Sequence, residues 1–142
     1  MPHIELRELR HDDQDAAFQA VSASTSAWPR ATFDDRDAFD RWTADEKVDA
    51  RAIVEDDTVV GVAAALEVDG DREILLAVSP SAHEDAPTEA LRLLTSQEAE
   101  RPLYACVSAD DQPSHAILAR IGFVEHERDG DDVVYVLPPT LE

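Results

Sequence analysis

The stretch VVGVAAALEVDGDREILLAVSPSAHEDAPTEALRLL, residues 59–94, contains the pattern that decides the fold. Two apolar runs flank Asp69-Gly70-Asp71, and this kind of turn sequence is typical of a tight β-hairpin. The second run, Ile74 to Val78, is apolar at every position and predicts a central strand covered on both faces. A polar loop follows, and Pro87 then indicates the first turn of a helix. The stretch therefore predicts an α/β fold around two buried strands.

The segments on either side extend this sheet into one domain. Short apolar runs bounded by turn residues indicate strands, and apolar residues spaced three or four apart indicate helices. Together they predict the order β-α-α-β-β-β-α-β-α-β-β in a single α/β domain spanning residues 1–142, with a mixed central sheet and helices on both faces. The predicted strands are 3–8, 49–56, 58–68, 72–78, 102–108, 122–128 and 132–138.

Capping residues predict where the helices begin and end. Asp12 or Asp13 is suited to cap the first helix. Thr32 with Asp35 resembles the capping box that opens a helix, and this pair predicts the start of the second. Gly122 predicts the end of the last helix, since glycine readily adopts the left-handed conformation found there.

The charge of the chain is extreme. It has 32 acidic and 12 basic residues, only one of them lysine, and a net charge of −20. Nucleic acids and anionic membranes bind basic surfaces, so neither is an expected partner. Hydrophobic residues make up 44% of the chain and fall in periodic blocks, which indicates a folded domain with an acidic surface. A salt-rich, halophilic host is the leading explanation, because salt screens the repulsion between the acids.

The cysteine count and the hydropathy pattern bear on the compartment. The single cysteine, Cys106, excludes an internal disulfide framework and lies in an apolar run, which favours a buried filler over a nucleophile. The start, MPHIELREL, lacks the pattern of a signal peptide. No apolar run is as long as a membrane span, which needs about eighteen residues. These features predict a cytoplasmic protein.

Three motifs follow one another along the chain: VVGVAAAL at 59–66, LLAVSP at 75–80 and ADDQPSHAILARIGF at 109–123. With the order of elements, they resemble the GNAT acyltransferase superfamily over roughly residues 4–137. The resemblance implies transfer of an acetyl group from acetyl-CoA to an amine. It also implies that the fourth and fifth strands splay apart and hold the pantetheine arm of acetyl-CoA between them.

The resemblance implies a set of cofactor-binding residues. Backbone groups near Leu76 and Val78 would pair with the pantetheine amides. The pyrophosphate would lie on the following loop, where glycines normally allow backbone N–H groups to approach the phosphate oxygens. The matching loop positions, together with those of the last-helix motif, are His83, Glu84, Ala86, Thr88, Asp111 and Ser114.

The loop departs from the family pattern in three ways. Glu84 and Asp85 add negative charge beside the expected phosphate, and Pro87 removes one N–H donor. Asp85 could also cap the helix and compete with the phosphate. His83 is open to two interpretations, a phosphate contact when protonated or an ordinary loop histidine. The acids thus predict weakened rather than abolished cofactor binding, and the absence of the family's glycines from this loop is the stronger objection to a phosphate site.

Candidate acid–base groups also have alternatives. Glu73 lies near the position of the general base in some family members, but the simpler interpretation is a solvated acid beside Arg72 at the start of the strand. In the family a tyrosine of the last helix often acts as the general acid, and here Leu118 occupies that position. His115 is a substitute for that tyrosine or, more simply, a surface helix residue.

Aromatic residues suggest where an acceptor could bind. The resemblance implies that Trp28, Arg30 and Phe33 line the acceptor site, whereas the alternative is that the two aromatic residues anchor their loop to the core. Tyr104 and Tyr135 are interpreted as core residues. No histidine or cysteine cluster has metal-ligand spacing, so no metal is expected.

The expected function is acetyl-CoA-dependent N-acetyltransfer to a primary amine of a small molecule or peptide. Self-association as a homodimer is also open. The alternative is a non-catalytic binding or regulatory module with the same fold.

Overall fold

Seven strands form one mixed sheet in the part of the chain that the structure, a computed structural model, describes: residues 3–24, 33, 35–98 and 100–139. The strands are β1 (Ile4–Glu8), β2 (Val48–Glu55), β3 (Thr58–Val68), β4 (Asp71–Val78), β5 (Leu103–Ser108), β6 (Val124–Asp129) and β7 (Asp132–Leu137). The helices are α1 (Gln14–Ala23), α2 (Arg36–Ala44), α3 (Ala86–Gln97) and α4 (Gln112–Ile121). This confirms the predicted order of elements and the α/β class.

The strand order across the sheet is β1-β2-β3-β4-β5-β7-β6. All neighbouring strands are antiparallel except β4 and β5, which are parallel. Tight turns connect the hairpins: φ is +47° and +71° at Asp56 and Asp57, and +51° and +86° at Asp69 and Gly70. Two consecutive residues with positive φ form the turn whose twist matches that of the flanking strands.

The side chains of β4 alternate between two hydrophobic layers, as the pleat of a strand requires. Ile74 and Leu76 lie in the layer beneath α3 and α4. Leu75 and Ala77 lie in the layer beneath α1 and α2. Helices therefore cover both faces of the sheet, and β4 is its buried centre.

Gly61 brings β3 unusually close to the end of β4. A bulge in the pairing of β2 with β3 lies next to this residue. A Cβ at Gly61 would lie 2.3 Å from the carbonyl oxygen of Ala77, so only glycine fits without a shift of the backbone. The Ser79 N–H donates to the carbonyl of Val60 at 2.7 Å and ties the end of β4 to β3.

Asp13 lies at the capping position of α1, as predicted, but its side chain makes no capping hydrogen bond there. Asp13 precedes the helix, but its carboxylate accepts hydrogen bonds from the Arg7 guanidinium and, at 2.9 Å, from the Arg10 N–H. The bond from Arg7 lowers the pKa of Asp13. An arginine on the neighbouring strand thus binds the carboxylate that the sequence had suggested for the helix end.

The second helix begins later than Thr32 suggested. Asp35 itself is the capping residue, and its carboxylate accepts from the Ala38 N–H at 2.8 Å. The predicted role of Asp35 as third member of a capping box is therefore wrong, and Thr32 lies outside the described residues. Gly122 ends α4 with a φ of +116°, as predicted.

Candidate functional site

Strands β4 and β5 separate almost as soon as they meet. In the described chain they pair only at Arg72 with Leu103 and at Glu73 with Tyr104, although β4 continues to Val78. Successive residues of a strand direct their N–H and C=O groups to opposite sides. Because the Ser79 N–H points to β3, the backbone of Val78 points into the gap beside β5. The expected splay is present, and it leaves a free strand edge.

A cleft of about 230 Å³ opens at this gap, between the end of β4 and the starts of α3 and α4. Proline and aliphatic side chains form most of its wall. Five predicted cofactor residues line it: Leu76, Val78, His83, Glu84 and Ser114. The remaining lining residues are Ser79, Pro80, Ala82, Pro87, Pro113 and Ile117.

The other three predicted cofactor residues are not part of that lining. Ala86 is fully buried and Thr88 is half-buried, and both lie in the first turn of α3. Asp111 caps α4 and accepts a hydrogen bond from the Ser114 hydroxyl at 2.6 Å. Asp111 therefore orients the start of the helix that forms one wall of the cleft.

The loop before α3 uses its backbone donors within the chain. The His83 N–H donates to Glu55 Oε1 at 2.7 Å, and the Asp85 N–H donates to His83 Nδ1 at 3.1 Å. The Ala86 N–H donates to the His83 carbonyl at 2.9 Å. Pro87 has no N–H. Most of the donors that a phosphate would need are thus already engaged.

The carboxylate that would compete with a phosphate for this loop is that of Glu55, not that of Asp85 as predicted. Asp85 lies at the capping position of α3 but accepts no capping hydrogen bond through its side chain, so its expected capping role is wrong. Glu55, which lies 28 positions before His83, binds the loop instead. Nothing in the local sequence pointed to Glu55, because the contact depends on how the β2–β3 hairpin lies beside the loop.

Glu73 lies on the opposite face of the sheet from the cleft. It shares the face of Leu75 and Ala77, at the point where β4 and β5 begin to separate. Burial raises the pKa of Glu73, and the nearby charges of Asp71 and Asp69 raise it further. A half-buried carboxylate with a raised pKa is suited to accept a proton.

Tyr104 is not the core residue that the sequence suggested. Its neighbours Leu103 and Ala105 are fully buried, whereas Tyr104 is half-buried on the other face beside Glu73. Its ring lies 5.9 Å from that of His126. The alternation of LYACVS was the signal that could have found this position.

Cys106 lies two residues further along the same face as Tyr104 and is half-buried. Burial raises the pKa of its thiol, and the negative charges of Asp132, Glu73 and Asp129 act in the same direction. A thiol with a raised pKa is a poor nucleophile, which favours the filler interpretation, although Cys106 is half-buried and not buried as predicted.

His115 is neither a surface residue nor part of the cleft. It joins α4 to the sheet: Nε2 lies 3.0 Å from the Ser108 carbonyl, and Nδ1 lies 2.5 Å from the Tyr135 hydroxyl. A carbonyl can only accept, so Nε2 carries the proton in the neutral ring and Nδ1 accepts from the tyrosine. Tyr135 is buried, as expected, and Leu118 is fully buried and aliphatic.

We expect His115→Phe to lower the free energy of unfolding by about 2 kcal/mol, because the hydroxyl of buried Tyr135 loses its partner. Urea denaturation measures this change. His11→Phe, at an exposed histidine, is the control and is expected to change stability by less than about 0.5 kcal/mol. Equal losses in the two variants would contradict the bridging role of His115.

The predicted acceptor residues are only partly described. Trp28 and Arg30 lie outside the described residues. Phe33 packs against Phe39 and Trp42, with ring centroids 5.2 and 5.3 Å away. This packing agrees with the alternative in which Phe33 anchors its loop to the core.

The described part of the chain has neither a metal-ligand cluster nor a membrane-spanning helix. No group of three or more histidine, cysteine, aspartate or glutamate side chains there could hold a metal ion. None of the described helices is long and apolar enough to cross a membrane.

Comparisons with known proteins agree with this architecture. The sequence model of the acetyltransferase (GNAT) domain matches residues 3–124. No curated protein matches the sequence.

Several solved structures share the fold. A GNAT-family acetyltransferase from Bacillus cereus has a TM-score of 0.76 at 11% identity, and the match covers 98% of this chain and 99% of that one. A probable GNAT-family acetyltransferase from Chromobacterium violaceum has a TM-score of 0.72 at 19% identity, covering 95% and 82%. An acetyltransferase from Thermus thermophilus has the same score and identity, covering 96% and 97%. Because the family's sequence model matches most of the chain, the protein belongs to the GNAT acetyltransferase family.

Proposed function

We propose that the protein transfers an acetyl group from acetyl-CoA to a primary amine. The observation that carries this proposal is the gap between β4 and β5, where pairing stops after Glu73 and the backbone of Val78 faces a mostly apolar cleft. A free strand edge beside apolar walls suits an extended chain of amides and methylenes, such as pantetheine. When bound, acetyl-CoA supplies the activated thioester.

The two halves of acetyl-CoA fit the chain unequally. The pantetheine arm suits the cleft, whose walls include Leu76, Pro80 and Ile117. The pyrophosphate fits less well, because the N–H groups of His83 and Asp85 already have partners. Binding is therefore expected to depend more on the cleft than on the phosphate loop.

Glu73 is the proposed proton acceptor. An ammonium group must lose a proton before its nitrogen can act as a nucleophile. The raised pKa of Glu73 makes its carboxylate a stronger base for this step. The backbone of the splayed strand β4 would hold the thioester carbonyl and stabilise the developing negative charge. Leu118 is fully buried and cannot donate a proton, so we assign protonation of the departing thiolate to solvent.

The acceptor is proposed to approach from the face that carries Glu73 and Tyr104. Asp129, Asp132 and Glu73 all raise the pKa of Cys106, which indicates that negative charge is concentrated near this face. A cationic amine would be attracted there, in agreement with an amine acceptor.

Calorimetric titration of acetyl-CoA into the full chain, in molar KCl, tests the proposal. At that ionic strength the Debye length is about 3 Å, so repulsion from Glu84 and Asp85 is largely screened. We expect saturable binding, tighter in molar KCl than in dilute buffer, and release of free thiol when an amine mixture is added. Absence of binding at millimolar acetyl-CoA in molar KCl would overturn the proposal.

The alternative is a non-catalytic module with the same cleft. It is favoured by the aliphatic Leu118 at the position where the family often has a tyrosine, and by the engaged donors of the phosphate loop. Binding of acetyl-CoA without thiol release, over a broad panel of primary amines, would support this alternative.

A further inference from the structure

Glu55 holds the loop that precedes α3. It is the last residue of β2 and is paired with Thr58 on β3 and Ile4 on β1, so the sheet fixes its backbone. Its Oε1 accepts the His83 N–H at 2.7 Å, across 28 residues of chain. A carboxylate at this distance makes a charge-assisted hydrogen bond.

The bonded N–H lies beside the cleft of the proposed donor site, whose lining includes His83 and Glu84. Carboxylate and phosphate oxygens are both anionic acceptors and compete for the same backbone donor. Another donor of the loop, the Asp85 N–H, is engaged by the His83 ring. An incoming phosphate would therefore have to displace Glu55 or bind beside it.

We infer that Glu55 is a selectivity determinant for the acyl donor. Its carboxylate stands in for a donor phosphate, and so it disfavours thioesters that carry a phosphate next to the pantetheine arm relative to phosphate-free pantetheine thioesters. This inference rests on the proposed function, because it concerns the same donor cleft.

Charge strengthens this discrimination. Glu84 and Asp85 are exposed on the same loop, so a phosphate that remained beside Glu55 would face three carboxylates. Like charges at such close range repel, and the repulsion is strongest at low salt. A phosphate-free thioester contacts only the apolar part of the cleft and is not subject to this repulsion.

The test compares two ligands by calorimetry with the full chain at low ionic strength. Acetyl-CoA carries the phosphates, and S-acetylpantetheine lacks them. We expect Glu55→Ala to bind acetyl-CoA about tenfold more tightly than the unsubstituted protein and to bind S-acetylpantetheine unchanged within about twofold. Glu55→Gln keeps an acceptor oxygen for the His83 N–H but removes the charge, and its gain for acetyl-CoA is expected to be smaller.

Asp57→Asn is the matched control. It removes one negative charge from the turn that follows Glu55, at an exposed position, and asparagine tolerates the φ of +71° found there. We expect it to change the affinity for acetyl-CoA less than about threefold. Circular dichroism and urea denaturation establish that each variant is folded. If Glu55→Ala is not folded, Glu55→Gln provides the test.

The outcomes separate this inference from the proposed function. A gain for acetyl-CoA alone, in either Glu55 variant and not in the control, supports the inference. Equal gains for both ligands, an equal gain in Asp57→Asn, or no gain would overturn it while leaving the proposed function intact. Absence of binding of either ligand to every variant, in molar KCl as well, would overturn the proposed function and the inference together.

Discussion

Replacing Gly61 by alanine is expected to lower the free energy of unfolding by about 3 kcal/mol or more. The new Cβ would lie 2.3 Å from the Ala77 carbonyl oxygen and 3.1 Å from both Val78 Cα and Ile53 Cδ1. A backbone oxygen cannot rotate away as a side chain can, so β3 would have to move away from β4. Because Val78 borders the cleft, acetyl-CoA affinity is expected to fall as well. Urea denaturation and calorimetry measure the two effects.

Gly70→Ala is the control for this substitution. Gly70 has a φ of +86°, and an added Cβ would meet no atom within 4 Å, so only the backbone strain of a left-handed residue applies. That strain is expected to cost about 1 kcal/mol and to leave acetyl-CoA affinity unchanged. If the two glycine variants lost the same stability, close approach of β3 to β4 would not be the reason for glycine at position 61.

Glu73→Gln is expected to lower kcat for acetyl transfer about hundredfold, the effect of losing a positioned general base. Glutamine has nearly the same shape but cannot accept the ammonium proton. Since Glu73 lies on the face opposite the cleft, acetyl-CoA affinity is expected to change less than about twofold. Steady-state rates with an amine that the unsubstituted protein acetylates, together with calorimetry, provide both measurements.

The pH dependence distinguishes a catalytic from a structural role for Glu73. A base works in its charged form, so the rate should fall as the pH decreases through the raised pKa of Glu73, and this limb should vanish in Glu73→Gln. The same raised pKa means that the folded state favours the protonated carboxyl. Its contribution to stability is complete below the unfolded pKa and is lost as the pH rises through the folded pKa. Glu73→Gln should therefore keep or gain stability at neutral pH.

Glu67→Gln controls for the loss of one negative charge. Glu67 lies on the neighbouring strand β3, opposite Arg72, and is exposed. This variant is expected to retain kcat within about twofold and to keep the low-pH limb of the profile. A Glu73→Gln enzyme with an undiminished rate would show that Glu73 is only a solvated acid at the start of β4.

The general architecture could be predicted from local patterns. The apolar run of β4 and the turn residues Asp69-Gly70 act within a few positions of one another, and their geometry follows from backbone sterics and from the period of the strand. The splay of β4 and β5 was expected through the resemblance carried by VVGVAAAL, LLAVSP and ADDQPSHAILARIGF. These elements were confirmed, because nothing distant competes for the backbone that forms them.

The side-chain partners were less predictable. Asp13 had the position of a helix cap but binds Arg7, and Asp85 lies at the capping position of α3 without using its carboxylate there. His115 had the spacing of a surface helix residue but bridges Tyr135 and Ser108. In each case a group that the local pattern does not reveal decided what the side chain does.

The loop between β4 and α3 separates the two kinds of information most clearly. Its sequence alone determined that glycine is missing, that Pro87 provides no N–H, and that Glu84 and Asp85 add negative charge, because these are properties of the residues themselves. Only the tertiary structure decided that Glu55 engages the His83 N–H and that Glu73 and the cleft lie on opposite faces of the sheet. The physical reason is that hydrogen bonds and charge contacts depend on distances of a few ångströms, and folding sets those distances between residues far apart in the chain.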